Sequence, residues 1–232
     1  SEMCIRAMDA CRLDIRKLRL HHLASKRVLL IGIPSGLQNA IFAVANLFVQ
    51  AGLNSFDEIT VSGAAAAANA DTLVFNMMAA FYTACASFVS RNWGAGRNDR
   101  IRKSYYISML YASIVGALAG VLLILFGRQF LGFFADKPEV IDAGMDRLRI
   151  MAFSYGIGAL MDASIAASRG LGRSVAPTIM VILGSCVFRV IWIYTIFAYF
   201  HTITSLYLLY MFSWILTGVA EYIYFRITYK MS

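Results

Sequence analysis

Long apolar runs separated by short polar turns set the pattern of this chain. Six stretches carry the roughly 20 mostly apolar residues that a membrane-crossing helix needs at about 1.5 Å per residue. They are residues 28–53, 63–90, 104–126, 148–168, 175–200 and 203–226. Together they take more than half of the chain and leave short connections only. Turn chemistry places the same boundaries. The run Asn92-Trp-Gly-Ala-Gly96 closes the second span with glycines suited to the position just past a helix end. Gly170-Leu-Gly172, followed by Pro177, marks a tight turn between the fourth and fifth spans. Asp136-Lys-Pro-Glu139 opens a short amphipathic helix with Val140, Ile141, Met145 and Leu148 on one side, expected to lie at the outer interface apart from the fourth span. The pattern predicts an all-α integral membrane protein, a bundle of six transmembrane helices whose partner is the lipid bilayer.

Composition agrees. The 232 residues are 59% hydrophobic and only 15% charged, against about 25% charged in an ordinary globular chain. The formal charge of +8 therefore does not point to nucleic acid, because basic residues of membrane proteins collect in cytoplasmic loops. Cys4 and Cys11 lie in a basic leader and Cys85 and Cys186 in apolar runs, with no metal-binding or disulfide spacing. Residues 1–27 lack the apolar core of a signal peptide. They begin with Ser and read as the middle of a loop, so a fragment is expected, with 28–232 as its six-helix body.

Lys and Arg fix the expected orientation. Arg6, Arg12, Arg16, Lys17, Arg19, Lys26 and Arg27 precede the first span. Arg91, Arg97, Arg100, Arg102 and Lys103 follow the second, Arg169 and Arg173 the fourth, and Arg226 and Lys230 close the chain. The opposite side holds Arg128, Lys137, Arg147 and Arg149 beside six acidic residues. Both ends of the segment are thus expected in the cytoplasm. Aromatic clusters at residues 105–106, 194–199 and 222–229 fit interfacial anchors facing lipid.

Charges inside spans are costly and usually face a partner or a hydrated cavity. Four stand out: Asp71, Asp162, Arg189 and Glu221. Counting along ideal helices places Arg189 about 24 Å above the inner interface and Asp71 about 15 Å below the outer one. An Asp71–Arg189 ion pair is expected, structural or gating, leaving Asp162 without a partner. Such a carboxylate can exchange a proton or offer hard oxygen ligands to Na⁺. Glu221, five residues from Arg226, reads better as an interfacial carboxylate reaching toward water. Uncharged polar groups recur along the first two spans: Gln38, Asn39, Asn46 and Gln50, then Asn69 and Asn76. They form either interhelical hydrogen bonds or the wall of a cavity. Pro34 falls where a bend in the first span is tolerated.

Three motifs carry a family resemblance. Ile31-Gly-Ile-Pro-Ser-Gly-Leu-Gln38, continued by Ala45-Asn46 and Gln50 through Phe56, resembles the seventh span of multidrug and toxic compound extrusion (MATE) transporters. Ala67-Ala-Asn69, Ala79-Ala-Phe-Tyr82 and Phe88-Val-Ser-Arg-Asn-Trp-Gly-Ala-Gly96 resemble their eighth. Arg169-Gly-Leu-Gly-Arg173 with Pro177 resembles the turn between their tenth and eleventh. The resemblance implies one lobe, the C-terminal one, of a twelve-helix transporter, with residues 1–27 as the cytoplasmic inter-lobe linker. Its partners would be the missing N-terminal lobe and cationic amphipathic drugs, with no nucleic acid. It implies exchange of such drugs for H⁺ or Na⁺ by alternating access in a bacterial cytoplasmic membrane, without a cofactor.

Met161-Asp162-Ala163 falls where some members bind a cation, so that role passes to Asp162, with Na⁺ as the only metal considered. Those members also use a Glu in the seventh span, where this chain has Phe42. The cation site must then differ, or lean on Asp71, Gln38 and Asn39, with Asn46, Asn69 and Asn76 lining the substrate cavity. Two alternatives stay open: a lipid-linked oligosaccharide flippase of the same superfamily, which would need a more cationic cavity, and a non-transporting lobe. An enzyme is not expected, because His21, His22 and His201 accompany no catalytic pattern.

Overall fold

A computed structural model describes residues 22–230. The basic leader up to residue 21, including Cys4, Cys11, His21 and most of the expected linker, lies outside the described residues. All six expected spans are helices, and no strand occurs among the described residues. They are α1 (His22–Leu53), α2 (Glu58–Gly94), α3 (Asn98–Leu131), α4 (Pro138–Gly170), α5 (Val175–Phe200) and α6 (Ile203–Lys230). Most run several residues past the apolar stretch that announces them, because a helix does not stop where hydrocarbon does. Two ends are fixed by glycine. Gly96 (φ +66°) and Gly172 (φ +78°) take the left-handed conformation. Around them the Arg97 N–H donates to the Asn92 carbonyl and the Arg173 N–H to that of Ser168. This is the paired-bond helix terminus that glycine permits.

One boundary is corrected. No separate interfacial helix forms after Asp136. Pro138 starts α4, which continues unbroken to Gly170. Val140, Met145 and Leu148 are buried as its first turns, because they continue the core stripe of the span below. At about 1.5 Å per residue, its 33 residues reach about 50 Å, well beyond a hydrocarbon core of about 30 Å.

This long helix is the axis of the lobe. Two-thirds (67%) of its most apolar stretch is buried, against 6% for α1. Its sides pack on α2, α3 and α6 through Met151, Tyr155, Ala159, Met161 and Ile165, which meet Val74, Met78, Ala112 and Trp214. Small residues set the spacing. A Cβ on Gly120 of α3 would stand 2.6 Å from the Ala152 carbonyl oxygen of α4. Without a hydrophobic drive between helices in lipid, such close backbone packing supplies the association.

The fifth span contains two π-helical turns, Ile182–Val187 and Ile193–Phe197. Beside the first, Gly184 lies so near α6 that a Cβ would be 2.5 Å from Thr217 Oγ1. Ser185 and Thr217 hydroxyls bond at 2.9 Å, and Trp192 Nε1 donates to the Ser205 carbonyl at 2.9 Å. Pro34 sits inside α1 without ending it.

Not every tyrosine in the expected belts faces lipid. Tyr105 is fully buried and bonds Ser164 at 2.9 Å, whereas Tyr194 and Tyr199 are exposed. Cys85 and Cys186 are buried free thiols.

Candidate functional site

Two groups of buried charges lie in opposite halves of the lobe, named outer and inner after the orientation that the basic residues predict. In the outer half, Asp71 of α2 does not meet Arg189. Arg147 of α4 takes that place: its Nη2 and Nε donate to Asp71 Oδ2 at 2.6 and 3.2 Å. The Tyr155 hydroxyl donates to Asp71 Oδ1. The expected Asp71–Arg189 pair fails because α4 begins early. With Pro138 as its first residue, Arg147 is about 13 Å inside the helix rather than in an outer loop. Both oxygens of Asp71 are thereby occupied, and the residue is buried.

Arg189 of α5 is 1% exposed. Its Nη1 donates to Asn46 Oδ1 of α1 at 2.9 Å. Its guanidinium lies 4.6 Å from the centroids of both the Phe42 and Tyr210 rings. No ion pair involves Arg189 among the described residues, and its Nε and Nη2 have no hydrogen-bond partner. Two aromatic faces and one amide oxygen therefore stand in for a carboxylate. Phe42, at the position where the family resemblance implies a Glu, is one of those faces.

A cavity of about 260 Å³ opens between α1, α2, α4 and α6, lined among others by Asn46, Gln50, Arg147, Tyr207 and Tyr210. Of the polar residues that the sequence offers for a cavity wall, Asn46 and Gln50 line it. Asn69 is turned back onto its own helix, donating to the Ala65 and Ala66 carbonyls at 3.3 and 3.2 Å. Asn39 and Asn76 are exposed.

In the inner half, Gln38 belongs to a different network. Arg169 of α4 donates from Nη2 to Gln38 Oε1 at 2.7 Å and from Nη1 to the Tyr82 hydroxyl at 2.8 Å. Its Nη2 also reaches Thr178 Oγ1 at 3.5 Å. One guanidinium thus ties α4 to α1, α2 and α5, although the sequence places Arg169 in a cytoplasmic turn. Asp162, two turns earlier on α4, is partly buried and takes part in no hydrogen bond or ion pair among the described residues.

Glu221 of α6, read from the sequence as an interfacial carboxylate reaching toward water, is buried instead. It is 0% exposed and neither carboxylate oxygen has a hydrogen-bond partner. Its nearness to Arg226 along the chain suggests the surface. Arg226 instead turns to the Tyr106 and Tyr222 hydroxyls at 2.9 and 3.0 Å. No group of three or more His, Cys, Asp or Glu residues that could hold a metal ion occurs among the described residues.

Six helices long and apolar enough to cross a membrane, with a polar cavity and buried charges among them, define a multi-pass membrane lobe. Residues 34–195 match the MatE family model, and the chain belongs to that family. Among its relatives, "Probable multidrug resistance protein YpnP" of Bacillus subtilis (strain 168) is 25% identical over 131 residues, 56% of this chain and 29% of that protein. An FAD transporter of Shewanella oneidensis is 21% identical over 151 residues, 65% of this chain and 33% of its own length.

The fold overlays a MOP superfamily transporter from Pyrococcus furiosus Vc1 at TM-score 0.86 and 15% identity, covering 99% of this chain and 53% of the other. It also overlays an outward-facing multidrug resistance MATE family transporter at TM-score 0.83 and 16% identity, covering 94% and 49%. The chain thus spans about half of these structures and about a third of the relatives.

Proposed function

We propose that this chain works as the C-terminal lobe of a secondary antiporter that exports cationic amphipathic compounds in exchange for H⁺ or Na⁺. A second lobe, related to the other half of the solved transporters, completes the cavity. The protein resides in a bacterial cytoplasmic membrane with both ends of this segment in the cytoplasm. The observation that carries the reading is Asp162: a carboxylate in the inner half of the most buried helix, free of hydrogen-bond and ion-pair partners among the described residues. A protein keeps such a group in a membrane interior at considerable cost, and transient neutralisation by a small cation offsets that cost. Alternating access follows if the ion favours one state and the cargo the other, since a ligand shifts an equilibrium only by its differential affinity. The test is Asp162→Asn in the full-length protein, expressed in a pump-deficient strain. Dye efflux is expected to stop while membrane insertion stays normal; retained efflux with unchanged ion dependence removes Asp162 from the mechanism.

A second reading of the cargo rests on the outer cavity. Arg147 lines it, Arg189 touches Asn46 and Tyr210, and Asp71 is the one carboxylate paired there among the described residues. These three buried groups carry one excess positive charge, which favours cargo with an acidic group. The relative named as an FAD transporter is consistent with such cargo. The matched family and the multidrug relative favour an exporter over a lipid flippase. Competition of efflux by riboflavin phosphate but not by ethidium would establish the acidic cargo; the reverse result would establish the cationic one.

A further inference from the structure

We propose that the groove between α3 and α6 binds one anionic phospholipid of the cytoplasmic leaflet, its phosphate on Arg226 and an acyl chain along Val219, Ile215 and Trp214. The leaflet follows from the orientation that the basic residues predict, and nothing in the site depends on the cargo or the coupling ion.

The groove follows from packing. Both α3 and α6 lie against α4 but not closely against each other, so side chains alone bridge the space between them. Tyr105 and Phe225 meet across it, ring centroids 4.4 Å apart. What remains is a cavity of about 430 Å³, with Met109, Leu160, Trp214, Ile215 and Val219 in its apolar wall. The hydroxyls that line it are already engaged. Tyr105 bonds Ser164 at 2.9 Å, and Tyr106 and Tyr222 accept from Arg226. Such a wall suits a hydrocarbon chain.

Its depth fits half a membrane. Trp214 and Arg226 are twelve residues apart on α6, about 18 Å, close to one leaflet's share of a hydrocarbon core of about 30 Å. Outward of Met109, α3 closes onto α4: a Cβ on Gly116 would stand 3.2 Å from the Tyr155 carbonyl oxygen. A transmembrane helix of another lobe would need a channel through both leaflets, whereas an acyl chain needs only one.

Charge selects the headgroup. The Tyr229 hydroxyl donates to the Asn98 carbonyl at 2.8 Å, tying the end of α6 to the start of α3. Around that joint Arg100, Arg102, Lys103, Arg226 and Lys230 stand against one acid, Asp99. None of them forms an ion pair among the described residues. Arg226 is exposed, and its guanidinium lies 5.8 Å from the Tyr222 ring centroid. Both of its hydrogen bonds leave from Nη1. Nε and Nη2 therefore remain for two phosphate oxygens, the paired geometry that a guanidinium favours. Lys230, one turn on, adds a second positive charge at the same edge. Basic pockets between helices on the cytoplasmic side suit acidic headgroups.

The test places the full-length protein in phosphatidylcholine nanodiscs with a trace of phosphatidylglycerol carrying a diazirine on its acyl chain. After illumination, crosslinks are expected on residues 105–109 and 214–222, and excess unlabelled phosphatidylglycerol should remove them. Arg226→Gln should lower this labelling about fivefold, and Arg226→Lys should keep part of it. A phosphatidylcholine probe with the same chains should label the groove weakly and equally in all three proteins, whereas a loss of fold would change both probes alike. Equal labelling by the two probes in wild type, or unchanged labelling in Arg226→Gln, would make this ordinary boundary lipid and overturn the site. Crosslinks found only outside the groove would show that another part of the protein covers it, and would overturn it too. Should Arg226→Gln fail to reconstitute, wild type is labelled at about 0.05 and about 1 M NaCl, because salt screens exposed charges. Phosphatidylglycerol labelling that falls with salt supports the site, and labelling indifferent to salt overturns it.

Discussion

At the scale of single residues, the buried ions divide into those already satisfied and those that are not. Asp71, Arg147 and Tyr155 form a closed set. Removing one member leaves its partner charged and unpaired inside the protein. Arg147→Met is expected to cost about 3–5 kcal/mol, and Asp71→Asn added to it should recover much of that loss. Thermal unfolding in detergent measures both; an undiminished melting temperature in Arg147→Met would show that the pair contributes nothing. The α2 start offers a milder case. Asp57 accepts from Thr60 Oγ1 at 2.6 Å and from the Thr60 N–H at 3.3 Å, and those bonds hold its carboxyl below the usual range. A carboxyl lowered on folding adds stability above its unfolded value and loses it as pH falls through the folded one. Asp57→Ala should therefore lower the melting temperature at neutral pH, with the difference vanishing in strong acid.

The sequence identifies the costly residue types here but not their neighbours. Asp71, Asp162, Arg189 and Glu221 stand out in apolar runs, whereas the Arg147–Asp71 pair depends on where α4 begins and how it turns. Glu221 was misread for a related reason. Proximity to Arg226 along the chain says nothing of which side of α6 meets α4.

At the scale of elements, the spans were legible because about 20 apolar residues in a row have one common use. The extension of α4 was not, since its first turns carry Glu139, Asp142, Asp146, Arg147 and Arg149 and read as an amphipathic surface helix. Packing decides otherwise: Gly63 of α2 approaches Gly144 so closely that a Cβ would lie 2.7 Å from its backbone nitrogen. Substitution should grade with this crowding. Gly120→Ala, with its Cβ against the Ala152 oxygen, is expected to destabilise by about 1–3 kcal/mol. Gly36→Ala in α1, where nothing lies within 4 Å of the added carbon, should be tolerated or slightly stabilising. Melting temperatures of equal size for the two variants would argue against close backbone packing as the glue of α3 and α4.

At the scale of the whole molecule, charge asymmetry predicts the orientation. Arg147 and Arg169 leave the loops in the structure, one from each side, and the remaining Lys and Arg keep the same bias. Single cysteines at Gly96 and at Asp136, in a background without native cysteines, should react with impermeant maleimide from opposite faces. Only the second should be labelled on intact cells. Labelling of both from outside would invert or break the arrangement.

Arg189 also gives the lobe an electrical property. Its neighbours Asn46, Phe42 and Tyr210 are uncharged, so its charge stays uncancelled where the bilayer voltage drops. Moving one elementary charge through the whole of a 100 mV drop is worth about 2.3 kcal/mol. Any shift of α5 along the membrane normal would therefore perform electrical work in proportion to its travel.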